Sequence, residues 1–571
     1  MSPYSPPLHD ISFALRHIAD LDQLARLPAW ADVGLDQTED LLAEAGRLAS
    51  EVMAPLNRLG DQVGSVLDDQ GNVTAPEGFR QAYQQYIKSG WTAVSASPEH
   101  GGAGFPLLVD VAIQEMFTSA NMAFSLCPML SQSAIGAIST HGTPQQQQRW
   151  LPALVSGEWT GTMLLTEPQA GSDVGALATR AERQSDGTYR LWGQKIFITW
   201  GEHDMADNIV HCVLARTPDA PAGTRGISLF IVPKHTVAAD GTRGQRNAIC
   251  CIGLEEKVGI HASPTCVMEL DGAIGELVGE EGDGMRLMFT MMNKARLLVG
   301  LEGLAIAERS YQQAAAFAAE RRQGRRADTE PGAQAPIADH PDVRRMLLDM
   351  RARTEAMRGL IFLNAAAADQ AVGHPDPEHR QRAQQRAELL TPVSKAWCTD
   401  QGVEVASLGI QVHGGMGFIE ETGAAQHWRD SRIAPIYEGT NGIQAIDLVG
   451  RKLPMNHGTP LAALLEEMGG WDKNLDQAVA AVAQSARWLA EHPGDDALAG
   501  ATPFLEMLGL TVGGWVMART WDEASRRQVA EPHRSDFWRA KQTSSRFFLD
   551  QILPKAPALA PAVTSGAAAL S

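Results

Sequence analysis

Residues 284–324 read GMRLMFTMMNKARLLVGLEGLAIAERSYQQAAAFAAERRQG, a stretch whose apolar positions recur at three and four. A single helix of about 40 residues would span about 60 Å at 1.5 Å per residue. A helix of that length needs other helices to bury it, so it predicts a bundle or an oligomer interface.

The same period continues beyond it. A Gly/Pro/Ala/Asp-rich loop (324–341) leads to DVRRMLLDMRARTEAMRGLIFLNAAAADQAV (342–372) and SKAWCTDQGVEVASLGIQVHGG (394–415). Upstream the period changes to two: GTYRLWGQKIFIT (187–199), NIVHCVLAR (208–216) and GISLFIVP (226–233) are β-rich runs bounded by turn residues. TEDLLAEAGRLASEVMAPLNRLG (38–60) is helical again. The expected order is an N-terminal helical extension (1–35), a helical domain (36–157), a middle β-domain (158–277), a helical bundle (278–455) and a C-terminal helical extension (456–571). The chain is therefore mainly α with an inserted β-domain. Its last 16 residues, APALAPAVTSGAAALS, are low in complexity and are expected to be mobile.

At 571 residues with 44% hydrophobic content the chain has material for several cores. A net charge of −19 repels phosphate backbones, and no basic tract interleaved with aromatics offsets it, so nucleic acid is not an expected partner. Six cysteines without a C-x-x-C pair suit neither a disulfide framework nor a zinc site, and a reducing cytoplasm fits them. No run of 18 apolar residues occurs, so no membrane span is expected. A P-loop, G-x-G-x-x-G after a strand, and G-x-S-x-G are all missing, and no two histidines stand at helical metal spacing. Metal is not expected.

Four stretches stand out. LLTEPQAGSDVG (164–175) places Thr166, Ser172 and glycines on a loop where backbone amides can approach a planar polar ligand. KIFITWG (195–201) sets Phe197 and Thr199 on one face of a strand by the period of two. AERRQGRR (319–326) supplies Arg321, Arg322, Arg325 and Arg326 at a helix end, as a solvated terminus or as a phosphate site. RDSRIAPIYEGTN (429–441) isolates one carboxylate, Glu438, among apolar residues.

In this order, and together with PEHGGAGFP (98–106) and QVHGGMGF (411–418), these stretches resemble the acyl-CoA dehydrogenase family. The resemblance covers about residues 36–454. Among the subgroups, the N-terminal segment, the ERRQGR loop and the helical extension are most similar to the 3-methylmercaptopropionyl-CoA dehydrogenase type. It implies a helical domain, a barrel-like β-domain and a four-helix bundle. It also implies FAD-dependent conversion of an acyl-CoA to its trans-2-enoyl-CoA, as in fatty acid β-oxidation, with electrons passed to an electron-transferring flavoprotein.

By that resemblance Glu438 is the general base and its backbone N–H, followed by Gly439, faces the thioester oxygen. Where some members place the base before the helix arginine, this chain has Ala295 before Arg296, which cannot take a proton. FAD would meet Met163, Thr166, Phe197, Thr199 and Thr440, and across a subunit boundary Arg321, Gln411, Gly414 and Gly415, making a homodimer or larger homo-oligomer. Ser172, Arg296 and Tyr437 would meet the substrate. The family's usual Trp is Phe197 here, and the Phe common before the glycine of the arginine loop is missing. Acyl-chain length is open, between 3-methylmercaptopropionyl-CoA and straight-chain acyl-CoAs. An oxygen-using acyl-CoA oxidase and a non-catalytic acyl-CoA-binding homologue are the competing readings.

Overall fold

The computed structural model describes residues 2–238, 241–325 and 334–570; Arg326 lies outside them. The chain forms a helical N-terminal domain, a β middle domain and a helical C-terminal region. In chain order the principal elements are helices α1 (Leu107–Ala120), α2 (Met122–His141) and α3 (Pro144–Ser156). Strands β1 (Trp159–Leu164), β2 (Arg180–Arg183), β3 (Tyr189–Thr199), β4 (Asn208–Arg216), β5 (Ile227–Pro233), β6 (Ile249–Leu254) and β7 (Thr265–Val278) follow. Next come helices α4 (Gly284–Glu320), α5 (Pro341–Gly373), α6 (Pro377–His413), α7 (Asn441–Asp447), α8 (Ala501–Ala530) and α9 (Ser535–Phe547). Two compact units result: Arg47–Phe105 with Ala120–Ala295, and Met1–Gly46 with Pro106–Ser119 and Arg296–Ser571.

In the first unit seven strands run in the order β6-β7-β3-β2-β4-β1, and β5 pairs with both β7 and β4. That extra strand closes β7-β3-β2-β4-β5 into a ring, so the barrel-like expectation takes concrete form. β1 lies parallel to β4, from Trp159 opposite Asn208 to Leu164 opposite Val213. The barrel core is filled by Leu191, Ile198, Val213, Phe230, Val232 and Leu270. Helix α2 is the one described helix long and apolar enough to cross a membrane by length and composition, a candidate that a search for 18 consecutive apolar residues passes over; 89% of its apolar window is buried inside the protein. Asn121 starts it, accepting the Phe124 N–H at 3.1 Å.

In the second unit the long helix expected over 284–324 is realised as α4, 37 residues, about 55 Å. It crosses α6 backbone to backbone. A Cβ at Gly303 would lie 2.2 Å from the Cys398 carbonyl oxygen, and one at Gly402 2.6 Å from that of Gly303. Only glycine permits this approach, and it brings Glu302 of α4 and Lys395 of α6 into the same buried space. The N-terminal segment packs on the C-terminal extension: Lys541 of α9 pairs with Asp10 at 2.6 Å, and the Phe13 ring meets Trp538.

The expectation of a mobile C-terminus is corrected. Short helices run over Lys555–Ala558, Ala560–Thr564 and Ala567–Leu570, Ala556 and Val563 are buried, and the Ala567 N–H bonds to Asp496 at 2.8 Å. Low complexity misleads here because alanine is both the best helix former and small enough to pack closely.

Candidate active site

Glu438 sits in the turn between helix Ala424–Ser431 and α7. Its backbone is left-handed, φ +55°, a conformation that costs a residue with a side chain about 1 kcal/mol or more and that collects at functional sites. The turn is held at its carbonyl, which accepts from Arg296 Nε at 3.3 Å and Gln444 Nε2 at 3.4 Å. Gly439 follows at φ +84°, where a Cβ would stand 2.7 Å from Gln444 Nε2. Thr440 then caps α7, its hydroxyl accepting the Ile443 N–H at 3.2 Å.

Asn441 is the most heavily used side chain of the turn. Its Nδ2 donates to Asp400 Oδ1 at 2.8 Å and to Ala396 O and Thr399 Oγ1 at 3.1 and 3.0 Å. Its Oδ1 accepts from Lys395 Nζ at 2.8 Å. On the other flank the Tyr437 hydroxyl donates to Glu302 Oε2 at 2.5 Å. Burial raises the pKa of Glu438, and Arg296 and Lys395 pull it back. A half-buried carboxylate with raised basicity, beside a backbone N–H that has no acceptor among the described residues, is suited to taking a proton from carbon.

Several expected positions need restating. Arg296 is buried and donates to the Glu438 carbonyl. Tyr437 turns its hydroxyl to Glu302 of α4. Ile436, one of the apolar residues beside Glu438 in the sequence, is 52% exposed. Glu302, Lys395, Asn441 and Gln444 were not singled out from the sequence. For Glu302 a signal existed, a lone acid within LLVGLEGLA (297–305) on an apolar helix.

In the β-containing unit the two motif stretches are joined. The Ile196 N–H donates to Thr166 O at 2.9 Å, and Thr162 Oγ1 donates to Thr199 O at 2.8 Å. Lys195, fully buried, pairs with Glu167 at 2.8 Å and donates to Leu165 O at 3.0 Å. Glu167 also accepts the Ala178 and Thr179 N–H groups at 2.7 and 3.0 Å. Burial opposes its ionisation, yet Lys195 and these donors hold the carboxyl down to about 2, while burial lowers the Lys195 ammonium to about 8. Phe197 departs from simple alternation. The register slips between Cys266 and Met268 of β7, so β3 bulges, and Phe197 takes φ +60° with 57% of its surface exposed. A flat apolar ring is thus displayed outward next to Thr199. Met163 is buried on β1, and Ser172 is exposed in the loop after it.

The glycine-rich end of α6 is open. Its cap N–H, Gly414, bonds back to Gln411 O; Gly414 has φ +60°, and no atom stands within 4 Å of a Cβ built at Gly414 or Gly415. Just past α4, Arg321 is exposed and donates to Gln323 Oε1 at 2.8 Å, while Arg322 donates to Gln334 O at 3.1 Å.

Family models match in series: acyl-CoA dehydrogenase N-terminal domain over residues 37–158, middle domain over 162–273, C-terminal domain over 282–453, and an acetyl-CoA dehydrogenase C-terminal-like domain over 457–571. The chain is 46% identical over 567 residues to the 3-methylmercaptopropionyl-CoA dehydrogenase of Ruegeria pomeroyi, covering 96% of each. It is 34% identical over 473 residues to the broad-specificity linear acyl-CoA dehydrogenase FadE5 of Mycobacterium tuberculosis, covering 81% of this chain and 77% of that one. Among solved structures, an acyl-CoA dehydrogenase from Bacillus anthracis in complex with FAD has the same fold, with TM-score 0.75 at 20% identity over 95% of this chain and 90% of that one. Matched by family models from residue 37 to its end, and at near full length by one relative, the chain belongs to the acyl-CoA dehydrogenase family.

Proposed function

We propose that Glu438 removes the α-proton of an acyl-CoA thioester as the β-hydride leaves, giving the trans-2-enoyl-CoA. The observation that carries this is the Glu438 carboxylate, desolvated and fixed on a left-handed turn. An ordinary Glu, with pKa about 4.3, is too weak for a carbon acid, and burial moves it toward the operating pH. Bound acyl chain deepens that desolvation. Charge developing on the thioester oxygen is met by the Glu438 N–H, which has no other acceptor among the described residues.

FAD, when bound, supplies the acceptor for the hydride. The chain's residues fit it: Phe197 offers an exposed flat ring beside Thr199, the Thr166 loop is fixed to that strand, and Gly414 and Gly415 leave room for close backbone approach. Met163 and Thr440 would meet the flavin, and Arg321 and Gln411 the pyrophosphate of a neighbouring subunit's FAD. Phe418, 86% exposed beside those glycines, and half-exposed Met416 suit a surface covered by a second copy, so a homodimer or larger assembly is our reading. Electrons would leave to an electron-transferring flavoprotein, and the six free cysteines fit a reducing cytoplasm.

For the substrate we infer 3-methylmercaptopropionyl-CoA, supported by the full-length relative at 46% identity. A straight-chain acyl-CoA is the second reading, favoured by the 34% relative. Anaerobic bleaching of the flavin by each acyl-CoA decides between them. The expected result is at least tenfold faster reduction by the thioether substrate than by acyl-CoAs of any straight chain length, a difference of about 1.4 kcal/mol in the barrier. Equal rates from butyryl to palmitoyl would replace the first reading by the second, no bleaching would defeat both, and stoichiometric peroxide in air would make the chain an oxidase.

A second test addresses the flavin loop. Lys195→Met leaves the Glu167 carboxylate buried without its ammonium, which costs about 3–5 kcal/mol when one partner of a buried pair is removed. The purified variant is expected to carry less than about half the wild-type flavin and to melt earlier. Full flavin at the wild-type melting temperature would show that the pair does not hold the Thr166 loop.

A further inference from the structure

Two buried groups stand behind Glu438 that the reaction described above does not use. Glu302 is 2% exposed; its Oε2 accepts the Tyr437 hydroxyl, and its Oε1 has no hydrogen-bond partner among the described residues. Lys395, fully buried on α6, donates to Asn441 Oδ1. Tyr437 immediately precedes the base and Asn441 comes three residues after it. The strained segment carrying Glu438 is thus tied to α4 at one end and to α6 at the other, across the Gly303–Gly402 crossing.

We propose that Glu302 is a positioning residue for the reaction: by clamping Tyr437 to α4 it fixes the left-handed backbone from which Glu438 meets the substrate. This rests on the reading of Glu438 as the base. The bond joins two groups out of water, where the low local dielectric strengthens it, and it acts on the residue next to the left-handed Glu438. The polar groups that bear on Glu302 are Tyr437 and Glu438 from the turn and Lys395 from α6.

Those neighbours also assign a charge role. Burial raises the Glu302 carboxyl to about 8, with Glu438 adding to the rise and Tyr437 and Lys395 opposing it. Burial lowers Lys395 to about 8, against Glu302, Glu438 and Asp400. At neutral pH Glu302 is then protonated and Lys395 charged, so the ammonium compensates Glu438. Above about pH 8 Glu302 gains a negative charge and Lys395 loses its positive one, so the enolate that forms stands beside an uncompensated charge and turnover would fall.

The experiment uses the flavin-loaded enzyme. Glu302→Ala and Tyr437→Phe are each expected to lower kcat about 30-fold with KM within threefold, and the double variant to be no worse than the poorer single one. Glu302→Gln accepts the Tyr437 hydroxyl but cannot ionise. It is expected to recover at least about tenfold of the alanine variant's loss and to show an alkaline decline displaced from that of wild type, because only Lys395 of the pair then titrates. Additive losses, a Gln variant no better than Ala, or an alkaline limb unmoved in Glu302→Gln each overturn the proposal. Flavin content and melting curves accompany every variant; should Glu302→Ala not fold, Tyr437→Phe and Glu302→Gln decide. Wild-type turnover in these variants beside an inactive Glu438→Gln refutes the role of Glu302 alone. Normal turnover in Glu438→Gln refutes the base assignment and this proposal with it.

Discussion

Glu438→Gln is expected to keep its flavin and its affinity for acyl-CoA and to reduce the flavin about 10³-fold more slowly, roughly 4 kcal/mol of barrier. The amide has nearly the size of the carboxylate, so the turn held by Arg296 and Gln444 at the backbone survives. What disappears is the basic oxygen. The pH dependence carries the same sign: burial raises the Glu438 pKa, so wild-type flavin reduction climbs with pH as the carboxylate forms, above the range of a free Glu. The Gln variant has no such limb. Stopped-flow reduction at several pH values checks both, and a variant within tenfold of wild type would remove Glu438 from the reaction.

How far the sequence foretells this site depends on the range over which each signal acts. Periodicity is local, so the switch from period two to period 3.6 placed the strands ending at Val278 and the helix starting at Gly284. Glu438 stands out in the sequence as a lone acid among apolar residues, and it and the glycines at 414 and 415 enter the expected site through the family resemblance of the stretches that carry them. Glu302 was not legible, since its partner Tyr437 stands 135 residues downstream, and Lys395 meets Asn441 across 46. On its own helix Glu302 is one acid in an apolar run, and Lys395 is one lysine in a mixed stretch, TPVSKAWCTDQ (391–401). Phe197 shows a different limit. Strict alternation puts it in phase with Thr199, but a bulge depends on what β7 places opposite it, and β7 begins 66 residues after β3 ends. The alanine-rich C-terminus failed as a prediction of mobility because composition describes a segment and not the surface it lands on.

Arg358→Met should be among the most destabilising single changes in the helical unit, about 3–5 kcal/mol. Arg358 of α5 is fully buried and forks onto Glu115 of α1, with Nε at 2.9 and 3.1 Å from its two oxygens and Nη2 at 2.7 Å; Nη2 also reaches Glu308 of α4 at 2.8 Å. One guanidinium thus joins three helices and compensates two acids. Methionine keeps the apolar stem and removes every donor to Glu115 among the described residues, whereas Glu308 retains Gln312 at 2.9 Å. An uncompensated buried carboxylate takes up a proton, so its folded pKa rises above the unfolded value near 4.3. The folded variant then binds more protons than the unfolded chain at neutral pH, and its stability falls as pH rises, by up to about 1.4 kcal/mol per unit for one proton. Melting curves at pH 5.5 and pH 8 should therefore show a deficit against wild type that is larger at pH 8. Adding Glu115→Gln to Arg358→Met should recover more than about 1 kcal/mol at pH 8 and flatten the dependence, because a neutral amide has no charge to bury. A deficit equal at both pH values and untouched by the second change would mean that lost packing, and not the stranded charge, is what the arginine prevents.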